Sequence, residues 1–238
     1  MGEPMFERPH HQRIAQVLLS LDGTVLREKQ CYFGGGTAIA LRCGEYRESV
    51  DIDFLVSDRP SYRDLREMVR GPKGLAAITR PGLQPLPLAR ELRADQYGIR
   101  CLLAMGNVQI KFEIILEGRI ELMQTDTPDA ICDITTLTPI DMAASKLLAN
   151  SDRWADDAVF SRDIIDLAML NLPRKDFGHA LTKAQRAYGE SIATDLQKAA
   201  DQLKARTGWL DRCIQTLDVR VPKALLWERI RAAVSMVA

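Results

Sequence analysis

CYFGGGTAIALRCGEYRESVDIDFLV, residues 31–56, is the stretch around which the rest of the chain is organised. It reads as a short apolar strand (31–33), a glycine turn (34–36), a short helix (37–43), a connector and a second strand (49–56). In that second strand Val50, Ile52, Phe54 and Val56 share one face. Asp51 and Asp53 share the other, because successive side chains point to opposite sides of a strand. Two carboxylates side by side repel unless a cation lies between them, and a hard divalent ion that takes oxygen ligands is the natural partner. The glycine turn that feeds a helix supplies the complement, main-chain N–H groups and a helix N-terminus aimed at an anion. An anion cradle beside an acidic metal platform is the composition of a triphosphate site.

Working outward, two alternating segments flank Gly106-Asn107, at residues 98–105 and 108–116, a hairpin signal. In the second segment Val108, Ile110, Phe112 and Ile114 form an apolar face, and Gln109, Lys111 and Glu113 share the polar one. Glu113 could be a third metal ligand from a neighbouring strand; alternatively, Lys111 and Glu113 form an exposed ladder of opposite charges. Residues 71–88 are rich in Pro and Gly and read as a loop, with a short strand at residues 77–79. Ahead of them Arg59, Arg63, Arg66, Arg70 and Lys73 recur near one helical face. They could track an RNA backbone, but the interleaved Asp64 and Glu67 favour a solvated face.

The second half is helical. Thr138-Pro139-Ile140-Asp141 opens a helix that places Lys146 and Arg153 on one side. A later helix carries Arg162, Asp163 and Asp166, with the two aspartates on one face. Read alone, Lys146 and these aspartates also suit a buried ion pair. From residue 176 onward helical periodicity continues over about 176–189, 191–206, 208–217 and 223–236, with Trp209 and Trp227 at core positions. His10 and His11 stand at the start of an N-terminal helix over Ile14, Val17, Leu18 and Leu21, and read as a solvated helix start.

Gly34-Gly35-Gly36-Thr37, the short helix, and Arg47-Glu48-Ser49-Val50-Asp51-Ile52-Asp53-Phe54 together resemble the nucleotidyltransferase signature of the DNA polymerase β superfamily. Arg-x-Ser directly ahead of Asp-Ile-Asp-Phe is similar to the AbiEii/AbiGii toxin family of bacterial toxin–antitoxin and phage-defence systems. The block from Asp141 through Ala144, Lys146, Ala149 and Arg153 to Arg162-Asp163-x-x-Asp166-Leu167 looks like that family's second motif. The resemblance covers about residues 30–170. It implies an α+β chain, with a polymerase-β-like core on a small mixed sheet (residues 1–125) followed by a helical C-terminal domain (126–238).

The resemblance also implies roles. Asp51, Asp53 and Glu113 would hold Mg²⁺ or Mn²⁺, although many relatives carry Asp where Glu113 stands. Gly35, Gly36 and Thr37 would bind the triphosphate, and Lys146 would offset charge on the departing pyrophosphate. Arg47, Arg153, Arg162, Asp163 and Asp166 rank second, as groups that orient Lys146 or the acceptor. The expected activity is metal-dependent movement of an NMP from an NTP to an acceptor hydroxyl on tRNA, by the toxin of a toxin–antitoxin or phage-defence pair with a cognate antitoxin as partner. The alternatives are a protein hydroxyl as acceptor, or a nucleotide-binding interaction protein without catalysis.

Composition bounds these readings. The 238 residues are 46% apolar and 27% charged, enough for a substantial core, and the formal net charge is zero. Any surface for a nucleic acid must therefore be local. The five cysteines, at positions 31, 43, 101, 132 and 213, lack Cys-x-x-Cys spacing and read as incidental thiols. No apolar run approaches a membrane span and no signal peptide precedes the first helix, so a cytoplasmic protein is expected.

Overall fold

The computed structural model describes residues 5–124 and 129–237. The domain boundary expected between residues 125 and 126 lies outside the described residues. The chain divides into two compact units, Met1–Leu41 with Ser49–Thr138, and Arg42–Glu48 with Pro139–Ala238. Residues 42–48, expected as the end of the short helix and the connector inside the core, thus belong with the helices.

In the first unit α1 (Pro9–Ser20) buries Ile14, Ala15, Val17 and Leu18 at helical spacing, and α2 (Gly23–Glu28) is capped by Asp22. Then come β1 (Tyr32–Gly34), α3 (Gly35–Arg42), β2 (Ile52–Val56), α4 (Arg59–Arg70) and a 3-10 turn at Gly74–Ile78 where a short strand was expected. Three strands follow, β3 (Leu88–Ala94), β4 (Gly98–Met105) and β5 (Val108–Leu116), and a small ribbon of β6 (Ala130–Ile131) and β7 (Ile134–Thr135) closes the unit. The main sheet runs β1-β2-β5-β4-β3. All its neighbours are antiparallel except β2 and β5, which makes it mixed.

One face of this sheet is the core. Phe33, Phe54 and Phe112 sit on it in a row across β1, β2 and β5, with ring centroids 5.6 Å apart at each step. Each such pair contributes about 0.5–1.5 kcal/mol beyond its buried area. Ile52, Val56, Ile99, Leu103, Ile110 and Ile114 fill the same buried layer. The opposite face carries Asp53, Glu113, Lys111 and Arg100.

Three local expectations are corrected. The second strand starts at Ile52, so Asp51 lies just ahead of it and Val50 is 48% exposed instead of joining the apolar face. The stretch that follows the expected loop over residues 71–88, read from the sequence without a strand, forms β3, whose irregular register hides the alternation that marks a strand. His11, read as a solvated helix start, is fully buried.

The second unit contains α5 (Pro139–Arg153), a 3-10 turn (Asp157–Val159), α6 (Arg162–Leu170), α7 (Arg174–Tyr188), α8 (Ser191–Ala205), α9 (Trp209–Thr216) and α10 (Lys223–Ser235). Helix α5 packs against α6, α7 and α8, and α10 covers α6 and α8. Trp209 is buried and donates its indole N–H to Ser161. Among the described residues no helix is long and apolar enough to cross a membrane.

Candidate active site

The glycine turn is tighter than its sequence suggests. Gly34 ends β1, and Gly35 and Gly36 already form the first turn of α3. Gly35 has φ +68°, and a Cβ there would approach the Asp53 carboxylate to 2.5 Å. Both the left-handed backbone and the close approach demand glycine. Strand β1 hands the chain to α3 directly beside Asp53, its Gly34 lying opposite that residue in the register. The N–H groups at the start of α3 carry the partial positive charge of a helix N-terminus.

Asp53 and Glu113 are register partners on the parallel strands β2 and β5, so they share the open face. Asp51 stands two residues upstream, in a segment held by hydrogen bonds instead of strand pairing. The Thr37 hydroxyl donates to the Asp51 carbonyl at 2.5 Å and lies 2.8 Å from Ser49 Oγ. That hydroxyl is spent on the protein, which leaves Thr37 its main-chain N–H for an anion. From α1, His11 Nε2 accepts the Ser49 N–H at 3.1 Å, and His10 Nε2 donates to the Val50 carbonyl at the same distance. The two adjacent histidines thus clamp the approach to the Asp-x-Asp strand. Sequence spacing missed this role, since nothing along the chain pairs residues 10 and 11 with 49 and 50.

Glu113 is engaged by two cations, Arg100 at 3.1 Å and Lys111 at 2.5 Å. The ladder of opposite charges and the acidic platform are therefore one arrangement. Partial burial alone would lower the Lys111 pKa. The hydrogen bond to Glu113 and the fields of Glu113, Asp51 and Asp53 outweigh it and raise the value above the usual lysine range. An ammonium already feels all three carboxylates. Three carboxylates on or beside adjoining strands are the oxygen donors that suit a hard divalent cation. Among the described residues, however, no three acidic, His or Cys side chains converge on one point. The donor chemistry fits such an ion, and in this structure Arg100 and Lys111 hold Glu113.

Lys146, Arg47, Arg153, Asp163 and Asp166 come together in the helical unit. Arg47 grips Asp166 through two hydrogen bonds of 2.6 and 2.9 Å, and the Tyr46 hydroxyl donates to the same carboxylate at 2.5 Å. Lys146 bridges Asp163 at 2.9 Å and Asp166 at 2.7 Å. Arg153 forks onto Asp163 at 2.7 and 2.9 Å. The buried ion pair that sequence offered as one reading of Lys146 is present. Burial by itself would raise the pKa of Asp163, but Lys146 and Arg153 hold it well below the usual carboxylate range. Asp166 is likewise lowered against its burial, by Arg47 and Lys146. Arg162 opens α6, half-buried, and carries no ion pair among the described residues. On α4, Arg63 is exposed, whereas Arg66 is half-buried and pairs with Glu67.

Two solved structures share this fold. A Helicobacter pylori protein proposed to be a nucleotidyltransferase aligns with TM-score 0.53 and 15% identity over 96% of this chain and 92% of its own. Helicobacter pylori JHP933 aligns with TM-score 0.53 and 14% identity over 98% of this chain and 93% of its own. No curated protein matches the sequence. The family described as "Nucleotidyl transferase AbiEii toxin, Type IV TA system" matches residues 18–232, nearly the whole chain. The glycine turn against Asp53, the acidic strand pair and the Lys146 block all fall within that match, and the chain belongs to the AbiEii nucleotidyltransferase toxin family.

Proposed function

We propose that this protein transfers a nucleoside monophosphate from an NTP to a hydroxyl of tRNA, in a divalent-cation-dependent reaction. The observation that carries the reading is the pairing of Asp53 with Glu113 on adjacent parallel strands, with the Gly35 backbone packed against the Asp53 carboxylate. Asp51, Asp53 and Glu113 would hold Mg²⁺ or Mn²⁺. Such an ion lowers the pKa of an attacking hydroxyl and balances phosphate charge.

The chain's own groups do the rest. Main-chain N–H groups of Gly35, Gly36 and Thr37 receive the β- and γ-phosphates. Thr37, His10 and His11 fix the segment that presents Asp51. Arg100 and Lys111 give up Glu113 and become available to phosphate oxygens. Lys146 offsets charge on the leaving pyrophosphate, the role that the resemblance of its motif implies. Its two aspartate partners hold the ammonium in place, with Arg47 and Arg153 fixing those aspartates in turn. Arg162, with no ion pair among the described residues, is available to the acceptor.

A cognate antitoxin is the partner expected from a type IV pair. The rival reading, nucleotide binding without transfer, draws on the pairing of Glu113 with Arg100 and Lys111. Incubation with each labelled NTP decides between them, with Mg²⁺ or EDTA, and with tRNA or a protein lysate as acceptor. Label appearing in tRNA only with Mg²⁺ supports the proposal. Label in protein changes the acceptor, and binding without label in either fraction replaces the proposal with its rival.

A further inference from the structure

The open face of the sheet does not end at Glu113. In the register Gly34, Asp53, Glu113, Arg100 and Arg93 stand opposite one another across all five strands. A second row runs from Lys111 through Leu102 to Arg90. Directly opposed residues share a face, so Arg90, Arg93, Arg100 and Lys111 project on the same side as Asp53 and Glu113.

This clustering depends on an irregularity. Arg90 and Arg93 are three residues apart, and in an unbroken strand they would point to opposite faces. Between them β3 spans one residue more than β4 does between their partners Leu102 and Arg100, and that bulge returns Arg93 to the face of Arg90. Glu91 falls within the bulge. Gly98, also on this face, leaves room for its neighbour, since a Cβ there would come within 2.9 Å of the Arg100 guanidinium.

Arg90 and Arg93 are exposed and carry no ion pair among the described residues. Tyr97, in the turn that joins the strands bearing Arg93 and Arg100, is 66% exposed. Unpaired guanidinium groups bind phosphate oxygens bidentately, and an exposed aromatic ring offers a stacking platform for an unpaired base. Adjacent strands are about 4.8 Å apart, so the row from Glu113 to Arg93 covers about 10 Å.

We propose that Arg90 and Arg93, with Tyr97 in the adjoining turn, form the track for the phosphate backbone of a nucleic-acid acceptor, leading from the β3 edge past Arg100, which Glu113 and Asp95 hold, to the carboxylates. The proposal rests on the reading of the acceptor as RNA. It differs from that reading in naming a surface that the family motifs do not include. Unpaired arginines beside an exposed aromatic favour a nucleic acid over an acidic protein, which would use the charge but not the ring.

The test compares wild type with the Arg90→Glu/Arg93→Glu double variant and with Tyr97→Ala. Binding of labelled total tRNA is measured across a salt series, next to binding of a fluorescent NTP and transfer of label. The double variant should lose tenfold or more in tRNA affinity at low salt, and its log–log salt slope should fall by about two units, one for each lost phosphate contact. Tyr97→Ala should weaken binding with the slope unchanged, and NTP affinity should be unaltered throughout. An unchanged tRNA affinity and slope in the double variant overturns the track, even if wild type labels tRNA efficiently and the functional reading stands. Loss of protein labelling with tRNA binding intact also overturns it. A reduced slope without any transfer by wild type supports the track and removes the transferase reading instead.

Discussion

Asp163 and Asp166 in the helical unit are shut away from water among Arg47, Lys146 and Arg153, whereas Asp51 and Asp53 in the sheet unit stand half-buried by the open face. The residue types are the same, but their treatment is opposite. In the helices every carboxylate oxygen of the pair meets a cation within 3 Å, and the acidic charge is outnumbered. In the sheet, Arg100 and Lys111 both attend Glu113, the register partner of Asp53. Burial makes the first cluster costly to disturb, since an uncompensated charge would be left in low dielectric. In the second, Glu113 is buried at 7% exposure, but Asp51, Asp53 and Arg100 are half-buried and Lys111 is exposed. Matched buried charge builds structure.

The largest test of this contrast is Asp53→Ala, and Asp51→Ala beside it. Each should cut transfer by about 10³ or more, comparable to or beyond the loss of a key electrostatic group at other active sites. The melting temperature should hold, because removing mutual repulsion does not harm packing. Unfolding of either variant would show that the sheet carboxylates are structural too, and the contrast would break.

Asp166→Asn reverses the outcome. It leaves Arg47 and Lys146 short of a buried counter-charge and should cost about 3–5 kcal/mol of stability at neutral pH, read from urea unfolding. The pH dependence follows from the depressed folded-state pKa values of Asp163 and Asp166. Their contribution is complete above the unfolded carboxylate pKa of about 3.9 and fades as pH falls through the lower folded values. The gap between wild type and Asp166→Asn should therefore be constant from neutral pH to about pH 4 and narrow below it.

Lys146→Ala sharpens the contrast, because the proposed function gives this residue a chemical task and the structure gives it two ion pairs. Action on the pyrophosphate predicts a fall in kcat on the order of 10²–10³ for the folded fraction. Arg at the same position should restore it only in part, since a planar fork does not replace a compact charge. A lowered melting temperature with kcat unchanged would leave Lys146 with its structural role alone.

The smallest effect belongs to His11. His11→Phe removes the acceptor of the part-buried Ser49 N–H, which should cost about 1–3 kcal/mol. It should also lower kcat more than nucleotide affinity, since Asp51 is displaced while the glycine turn is not. His11→Gln, whose amide oxygen can accept the same bond, should recover part of both. An equal loss of stability with wild-type kcat would reduce the histidine clamp to packing.

Much of this was legible in the chain because its signals are local. Alternation over Ile52–Val56 and Val108–Leu116 fixed which side chains share a face, and Gly106-Asn107 fixed the hairpin. Glycine at position 35 is the only residue compatible with a positive φ against a carboxylate, so the turn announced itself. The helices of the second half followed from periodicity to within a few residues.

What the tertiary structure alone decided are pairings between distant segments. No spacing rule brings His11 to Ser49, or Arg47 to Asp166 across 119 residues. Nor does any rule assign residues 42–48 to the helices. Strand β3 escaped notice because its bulge breaks the period of two that a sequence reading relies on, and the same bulge sets Arg90 and Arg93 side by side. The sequence determined which groups each element could present. Which of them meet was decided by long-range register and burial, because a charge or a hydrogen-bonding atom withdrawn from water must find its partner wherever the fold provides one.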